Sequence, residues 1–327
     1  MNSPDVDAPV YPGTMTQHRS VNASACAKAI LVGEHAVVYG ARAVAMPVPT
    51  LQMTVRLTPT TRRHKNGDPI FRVLLGGRSV SPHVDGLVEE AFRLLGIEPF
   101  PLDIEGNSTV MIGAGLGSSA SLCIVILKAL AESVQLPLAR YELASFGTQL
   151  ERRFHGNPSG LDTAVVAMGH VVSFAKGAMP LEVPLQRLPD DLPWRFALLD
   201  SGVRSSTMTM IQVATPYFHG SAGERRIANF DQLAAEVIYG LTHGSTMEVA
   251  EAMTAAGAYL DEAGVVTDHL RDIIAAAKSV GCLAAKTTGA GGGGCVLALL
   301  SAEHGAAQVI ALNEHLGGTR VCAVELI

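Results

Sequence analysis

The chain contains Gly113-Ala-Gly-Leu-Gly-Ser-Ser119, followed by the small and apolar run Ala120-Ser-Leu-Cys-Ile-Val-Ile-Leu-Lys-Ala-Leu130. Three glycines at alternate positions free the backbone to take φ > 0 and to approach another group closely. Two serines then stand where a helix should begin, ahead of a run that suits a buried helix. A helix N-terminus offers unpaired N–H groups and a partial positive charge, so it can hold a polyphosphate. The stretch is not a P-loop, because no Gly-Lys-Ser/Thr closes it, and its glycine spacing is not that of a dinucleotide fingerprint. A glycine-rich turn before a helix is also simply a turn, so the rest of the chain has to decide.

Size and composition narrow the choice. A chain of 327 residues suffices for two domains, or one large one, with a substantial core. Hydrophobic residues at 48% and charged residues at 17% suit a well-buried enzyme and exclude disorder. Net charge is −6 with no long basic run, which argues against nucleic acid or an anionic membrane surface as partner. The local cluster Arg62-Arg63-His64-Lys65 reads as a solvated loop. Five scattered cysteines, never in C-x-x-C spacing, read as reduced core residues of a cytoplasmic protein, with no zinc site. No basic stretch followed by an apolar one opens the chain, so no signal peptide is expected. The uncharged run 106–127 is strongly apolar only from Leu122 to Leu127, too short to span a membrane.

Taken in order, residues 1–20 read as an N-terminal arm. Strands are expected near 21–27, 43–48, 51–57, 71–75 and 102–111, and an amphipathic helix over 83–95. Helices follow over 118–133, 138–153 and 161–167, with a strand at 170–175. Prolines at 180, 184, 189 and 193 mark a boundary, dividing a first domain, 21–190, from a second, 191–327. The second should hold strands near 195–200, 282–287, 295–300 and 319–325 and helices near 206–215, 222–240, 245–262, 266–280 and 303–315. Strands grouped early, without regular alternation, argue for an α+β fold.

Three further motifs accompany the glycine loop. Lys28, Glu34 and His35 lie in Ala25-Cys-Ala-Lys-Ala-Ile-Leu-Val-Gly-Glu-His-Ala-Val-Val-Tyr-Gly40, a costly setting for charge unless it is paired or used. Glu151 and Asp162 flank His155-Gly-Asn-Pro-Ser-Gly160 and could converge on one Mg²⁺-nucleotide and one hydroxyl, since Mg²⁺ takes one or two carboxylates plus phosphate oxygens. Singly, each is as readily a capping or turn residue. Lys286-Thr-Thr-Gly-Ala-Gly-Gly-Gly-Gly-Cys295 places four consecutive glycines between strand-like segments, more than a plain hairpin needs.

Together the four motifs, in this order over about 21–327, resemble the GHMP kinase superfamily and within it the mevalonate kinase family most closely. The resemblance implies a two-domain α+β fold with the active site between the domains, ATP and Mg²⁺ as cofactors, and phosphorylation of the C5 hydroxyl of mevalonate, a small-molecule substrate. Gly113, Ala114, Gly115, Leu116, Gly117, Ser118 and Ser119 would wrap the ATP phosphates, with Ser119 and Glu151 as Mg²⁺ ligands. Asp162 would accept or orient the hydroxyl proton, and Lys28 would hold Asp162 ionised and stabilise the alkoxide. Glu34 and His35 would lie by the substrate, His35 as a donor; Ser206 or Thr207 would face it, and Gly291 and Gly292 would close over it. A sister kinase acting on phosphomevalonate should carry extra basic residues, and none are obvious; a silent regulator should have lost a catalytic residue, and none is lost. The apolar positions of the second half's helices suit a homodimer face as well as a core. Three positions depart from the family pattern: Met111 where proline is usual, Thr287 where leucine is usual, and Val266 where serine is common.

Overall fold

The first strand sets the layering. β1 (Val21–Val32) alternates between buried and exposed at its start and is buried at every position from 27 onward. A strand covered on one face alternates, whereas one covered on both reads as a continuous apolar run. β1 therefore continues to Val32 rather than stopping near 27, and it carries Lys28 inside the strand. Its antiparallel partner β2 (Ala43–Pro59) is one strand where two were expected. The ladder slips between them: Ala27 faces Val48 but Cys26 faces Gln52, leaving 49–51 as a bulge where prolines are tolerated.

The computed structural model describes residues 18–68, 70–79 and 82–327. Of the expected arm at 1–20, only 18–20 fall among them; His18 stacks on Phe100 with ring centroids 3.7 Å apart. After β2 come β3 (Phe71–Leu75), β4 (Arg78–Ser79), α1 (Pro82–Leu95) and β5 (Leu102–Ser108). β5 ends before the expected 111, where the Ser108 hydroxyl accepts from the Val110 N–H at 3.1 Å and turns the chain. Next are α2 (Ser118–Ser133), α3 (Arg140–His155), α4 (Leu161–Met168), β6 (Val172–Phe174) and β7 (Leu181–Glu182). The first sheet runs β4-β3-β5-β2-β6-β7 with β1 also on β2, and β3–β5 is its parallel pair. α2 is buried almost all round, as its composition requires, because it lies between β1 and the helices α3 and α4.

The second half contains β8 (Trp194–Asp200), α5 (Thr207–Ala214), α6 (Gly220–His243), α7 (Thr246–Glu262) and α8 (Asp268–Ser279). It closes with β9 (Ala284–Thr288), β10 (Cys295–Leu299), α9 (Gly305–His315) and β11 (Arg320–Leu326). These strands form an antiparallel sheet in the order β11-β8-β10-β9. One core fills the space between the first sheet and α1–α4, around Phe92, Ile124 and Leu150. The other joins Leu31, Met46 and Leu51 of β1 and β2 to Trp194, Phe230 and Met253 of the second half. β1 and β2 thus belong to both cores. All five cysteines are free thiols. Among the described residues, no helix is long and apolar enough to cross a membrane.

The two-sided burial predicts unequal costs along β1. Leu31→Ala, at a fully buried position of the shared core, should lower unfolding free energy by about 2–5 kcal/mol. Asn22→Ala, at an exposed position of the same strand, should change it by less than about 0.5 kcal/mol. Equilibrium denaturation followed through the single, buried Trp194 checks both.

Candidate active site

The end of β1, the loop before α2, the C-terminus of α3, the start of α4 and the loops after β8 and β9 line one cavity of about 200 Å³. It lies where the two sheets' layers meet. Lys28 is fixed from both ends. Its backbone N–H donates to the Leu116 carbonyl at 3.1 Å, tying β1 to the glycine loop. Its side chain is 2% exposed, and Nζ stands 3.0 Å from Asp162 Oδ1. Gly117, at φ 72°, crosses the lysine stem so closely that a Cβ would lie 2.9 Å from Lys28 Cγ. Asp162 enters in the first turn of α4, after Gly160 at φ 93°, and opens onto the cavity.

A second polar group sits one helix away. Ser119, in the first turn of α2, donates from Oγ to Glu151 Oε1 at 2.8 Å and lies 3.0 Å from His155 Nε2. Glu151 and His155 are four residues apart on α3 and so share a face. Burial, and then the nearby Asp162 charge, push the Glu151 carboxyl up to about 7; burial pushes the His155 imidazole down. A buried carboxylate so short of positive charge is suited to a cation, and its donors, a carboxylate and a hydroxyl, are the hard oxygens that Mg²⁺ prefers. Among the described residues no cluster of three or more His, Cys, Asp or Glu has metal-site geometry. A divalent ion here would take its other ligands from phosphate oxygens and water, which fits Mg²⁺.

Glu34 and His35 line the cavity from the turn after β1. Glu34 is buried against Lys286 of β9, with Oε1 accepting from Nζ. Burial raises the Glu34 carboxyl and lowers the Lys286 ammonium, each opposing the attraction between them. His35, at φ 54°, contacts the Ala290 carbonyl through Nε2 at 2.8 Å. A carbonyl can only accept, so Nε2 carries the hydrogen. Burial pushes the imidazole below its usual range, and the neutral ring keeps Nδ1 as a bare acceptor.

The glycines of the two loops meet each other. A Cβ on Gly115 would stand 2.7 Å from the Thr288 carbonyl, and one on Gly289 would stand 2.7 Å from Gly115 Cα. The Cys295 N–H donates to the Ala114 carbonyl at 3.1 Å. Much of the glycine in the second loop therefore serves loop-on-loop packing. Gly113, Gly115, Leu116, Ser118 and Ser119 line the cavity, while Ala114 is buried behind it. Thr207 and Gly291 also line it. Ser206 and Gly292 do not: Ser206 caps α5 by accepting from the Thr209 N–H, and the Gly292 N–H donates to the Val265 carbonyl at 2.7 Å. Ser205, rather than Ser206, reaches the second loop, donating to the Gly291 carbonyl. Sequence reasoning gave no role to Lys286 or His155. Their signals were a charge inside an apolar strand and a histidine four residues after Glu151.

The chain is similar to known proteins over most of its length. Residues 83–170 match the GHMP kinases N terminal domain, and residues 237–316 match the GHMP kinases C terminal domain. The mevalonate kinase of Thermococcus onnurineus is 30% identical over 306 residues, covering 85% of this chain and 89% of that protein. That of Aeropyrum pernix is 28% identical over 298 residues, covering 86% and 89%. The crystal structure of the Methanococcus jannaschii mevalonate kinase superposes with a TM-score of 0.78 at 22% identity, covering 96% of this chain and 100% of that chain. The chain belongs to the GHMP kinases and, within them, to the mevalonate kinase family.

The Glu151 environment makes stability depend on pH. A carboxyl raised in the folded state binds its proton more tightly there than when unfolded, so folding is favoured below the unfolded value. That advantage is lost as pH rises from the ordinary carboxyl value of 4.5 to about 7. Without divalent cations, the wild type should lose up to about 3 kcal/mol across this window. Glu151→Gln should show a flatter profile and be the more stable protein at pH 8, measured by thermal denaturation; coincident profiles would refute the assignment.

Proposed function

We propose that this chain transfers the γ-phosphoryl group of ATP, with Mg²⁺, to the C5 hydroxyl of mevalonate, giving 5-phosphomevalonate. The observation that carries the reading is the Lys28–Asp162 pair at 3.0 Å, set beside a glycine loop and an uncapped helix start. Phosphoryl transfer needs positioning and charge stabilisation more than covalent chemistry by the protein.

In this reading the N–H groups of the first turn of α2 and its preceding loop hold the phosphates, aided by the helix dipole. Ser119 and Glu151 hold Mg²⁺, which when bound neutralises charge on the phosphate oxygens. Asp162 accepts or orients the proton of the acceptor hydroxyl. Lys28 holds that carboxylate in place and stabilises the alkoxide as it develops. Glu34 and His35, both on the cavity lining, face the acceptor. Thr207, from the start of α5, and Gly291 complete the wall. The reading takes 21–190 and 191–327 as the two domains and the cytoplasm as the setting. A homodimer would use the exposed Tyr239 and Met247 at the corner between α6 and α7.

A phosphorylated acceptor is disfavoured by charge. Lys28 is the one lysine or arginine among the described residues lining the cavity, and it is already paired with Asp162. A second phosphate would lack a cation. A silent regulator is disfavoured because Lys28, Ser119, Glu151 and Asp162 are all present and convergent.

The test is ATP-to-ADP turnover with Mg²⁺ on mevalonate, its 5-phosphate, its diphosphate, galactose and homoserine. Turnover of mevalonate alone, without CO₂ release, is the expected result; turnover of a phosphorylated analogue instead would overturn the substrate. Asp162→Asn should lower kcat by about 10²–10⁴ with nucleotide affinity nearly unchanged. A wild-type rate in that variant would remove the role assigned to Asp162.

A further inference from the structure

Lys286 and Thr288 share one face of β9, as residues two apart on a strand do, and both reach the end of β1 in the other layer. Thr288 Oγ1 accepts from the Ile30 N–H at 2.8 Å and lies 3.3 Å from the Ile30 carbonyl, to which it donates. Lys286 is fully buried, and its ammonium donates to Glu34 Oε1, to the Thr287 carbonyl at 2.8 Å and to the Ile30 carbonyl at 3.4 Å. Three donors meet three acceptors, and Lys286 does not line the cavity. It is not placed to touch a phosphate or an acceptor. α7 makes room for it: a Cβ on Gly257 would lie 3.0 Å from Lys286 Cβ.

Glu34 is placed differently. It is 1% exposed and lines the cavity; Oε1 is taken by Lys286, while Oε2 is buried with no hydrogen-bond partner among the described residues. A buried carboxylate oxygen without a donor is costly and calls for an explanation.

We propose that Lys286 is a positioning residue, holding Glu34 as a fixed, ionised carboxylate whose free oxygen accepts a hydroxyl of the acceptor substrate. This rests on the reading that the cavity binds a small hydroxylated acceptor, and it gives the second layer a part in recognising it. Without a neighbouring cation, a carboxylate this buried takes up a proton and becomes a poorer acceptor. Lys28 also favours the charged form of Glu34, but its ammonium is paired with Asp162. Lys286 is therefore the partner that fixes both the charge and the rotamer. A hydroxyl donating to a held carboxylate forms a charge-assisted bond, stronger than one to a neutral group.

The experiment compares Glu34→Gln, Lys286→Met and the double variant in the full-length enzyme, by steady-state kinetics and by calorimetry with a non-hydrolysable ATP analogue. Each single change should raise KM for mevalonate about 10–100-fold while leaving the nucleotide Kd near the wild-type value. Because the two residues act as one unit, the double variant should lose no more than the weaker single. Lys286→Met alone strands a buried charge and can destabilise the fold. The double variant removes both charges, so its melting temperature should stay near the wild type and it reads the role independently of folding. A wild-type KM in the double variant, losses that multiply, or nucleotide and acceptor affinity falling in parallel would each overturn the proposal. If the wild type ignores mevalonate but phosphorylates another acceptor, the substrate reading fails by itself, and the same three variants decide the role of Lys286 with that acceptor.

Discussion

A lysine inside a strand covered on both faces must be paired, and the pairing of Lys28 with Asp162 determines where the rest of the site lies. To bring Asp162 to Lys28, α4 must start beside β1, which the left-handed Gly160 allows. To let the glycine loop cross the same lysine, Gly117 must lack a side chain. Once these are in place, the start of α2, with Ser119, faces the end of α3, with Glu151 and His155. The chemistry thus follows from where burial is two-sided.

The second layer repeats the arrangement with the charges exchanged. Glu34, in the turn after the same strand, is buried against Lys286 of β9. Two ion pairs of opposite order therefore stand at one cavity, each with its carboxylate on the lining, and Lys286 enclosed behind Glu34. Buried pairs of this kind are seldom a net source of stability, because both charges lose their water. Their value here is orientation: each fixes a carboxylate that a flexible surface residue would leave free. The loops add to this by packing backbone on backbone through Gly115 and Gly289, so the wall of the cavity is continuous across the two layers.

Much of this was legible in the sequence. The helices were visible because their apolar periodicity is local, and α2 was placed at Ser118–Ser133 from its serines and apolar run. Lys28 could be read as a charge set in apolar surroundings, whereas Glu151 and Asp162, each as readily a capping or turn residue, took their roles from the resemblance of the motifs together. The extension of β1 to Val32 was not legible, since burial on both faces erases the alternation that marks a strand. The continuity of β2 was hidden at 49–51, where Pro49 reads as a break until the bulge opposite Cys26 and Ala27 accommodates it. Lys286 escaped because its partner lies 252 residues away, and no local pattern announces such a pairing. Ser206 and Ser205 differ by one position, and only the cap of α5 shows which one faces away.

The most direct measurement is the single-turnover rate of phosphoryl transfer, by rapid quench, in a cycle of Lys28→Met, Asp162→Asn and the two together. If the pair works as one device, the double variant is no slower than the slower single, because either change already dismantles it. Losses that multiply would mean that the two residues act separately, and would contradict the account of a site organised around their contact.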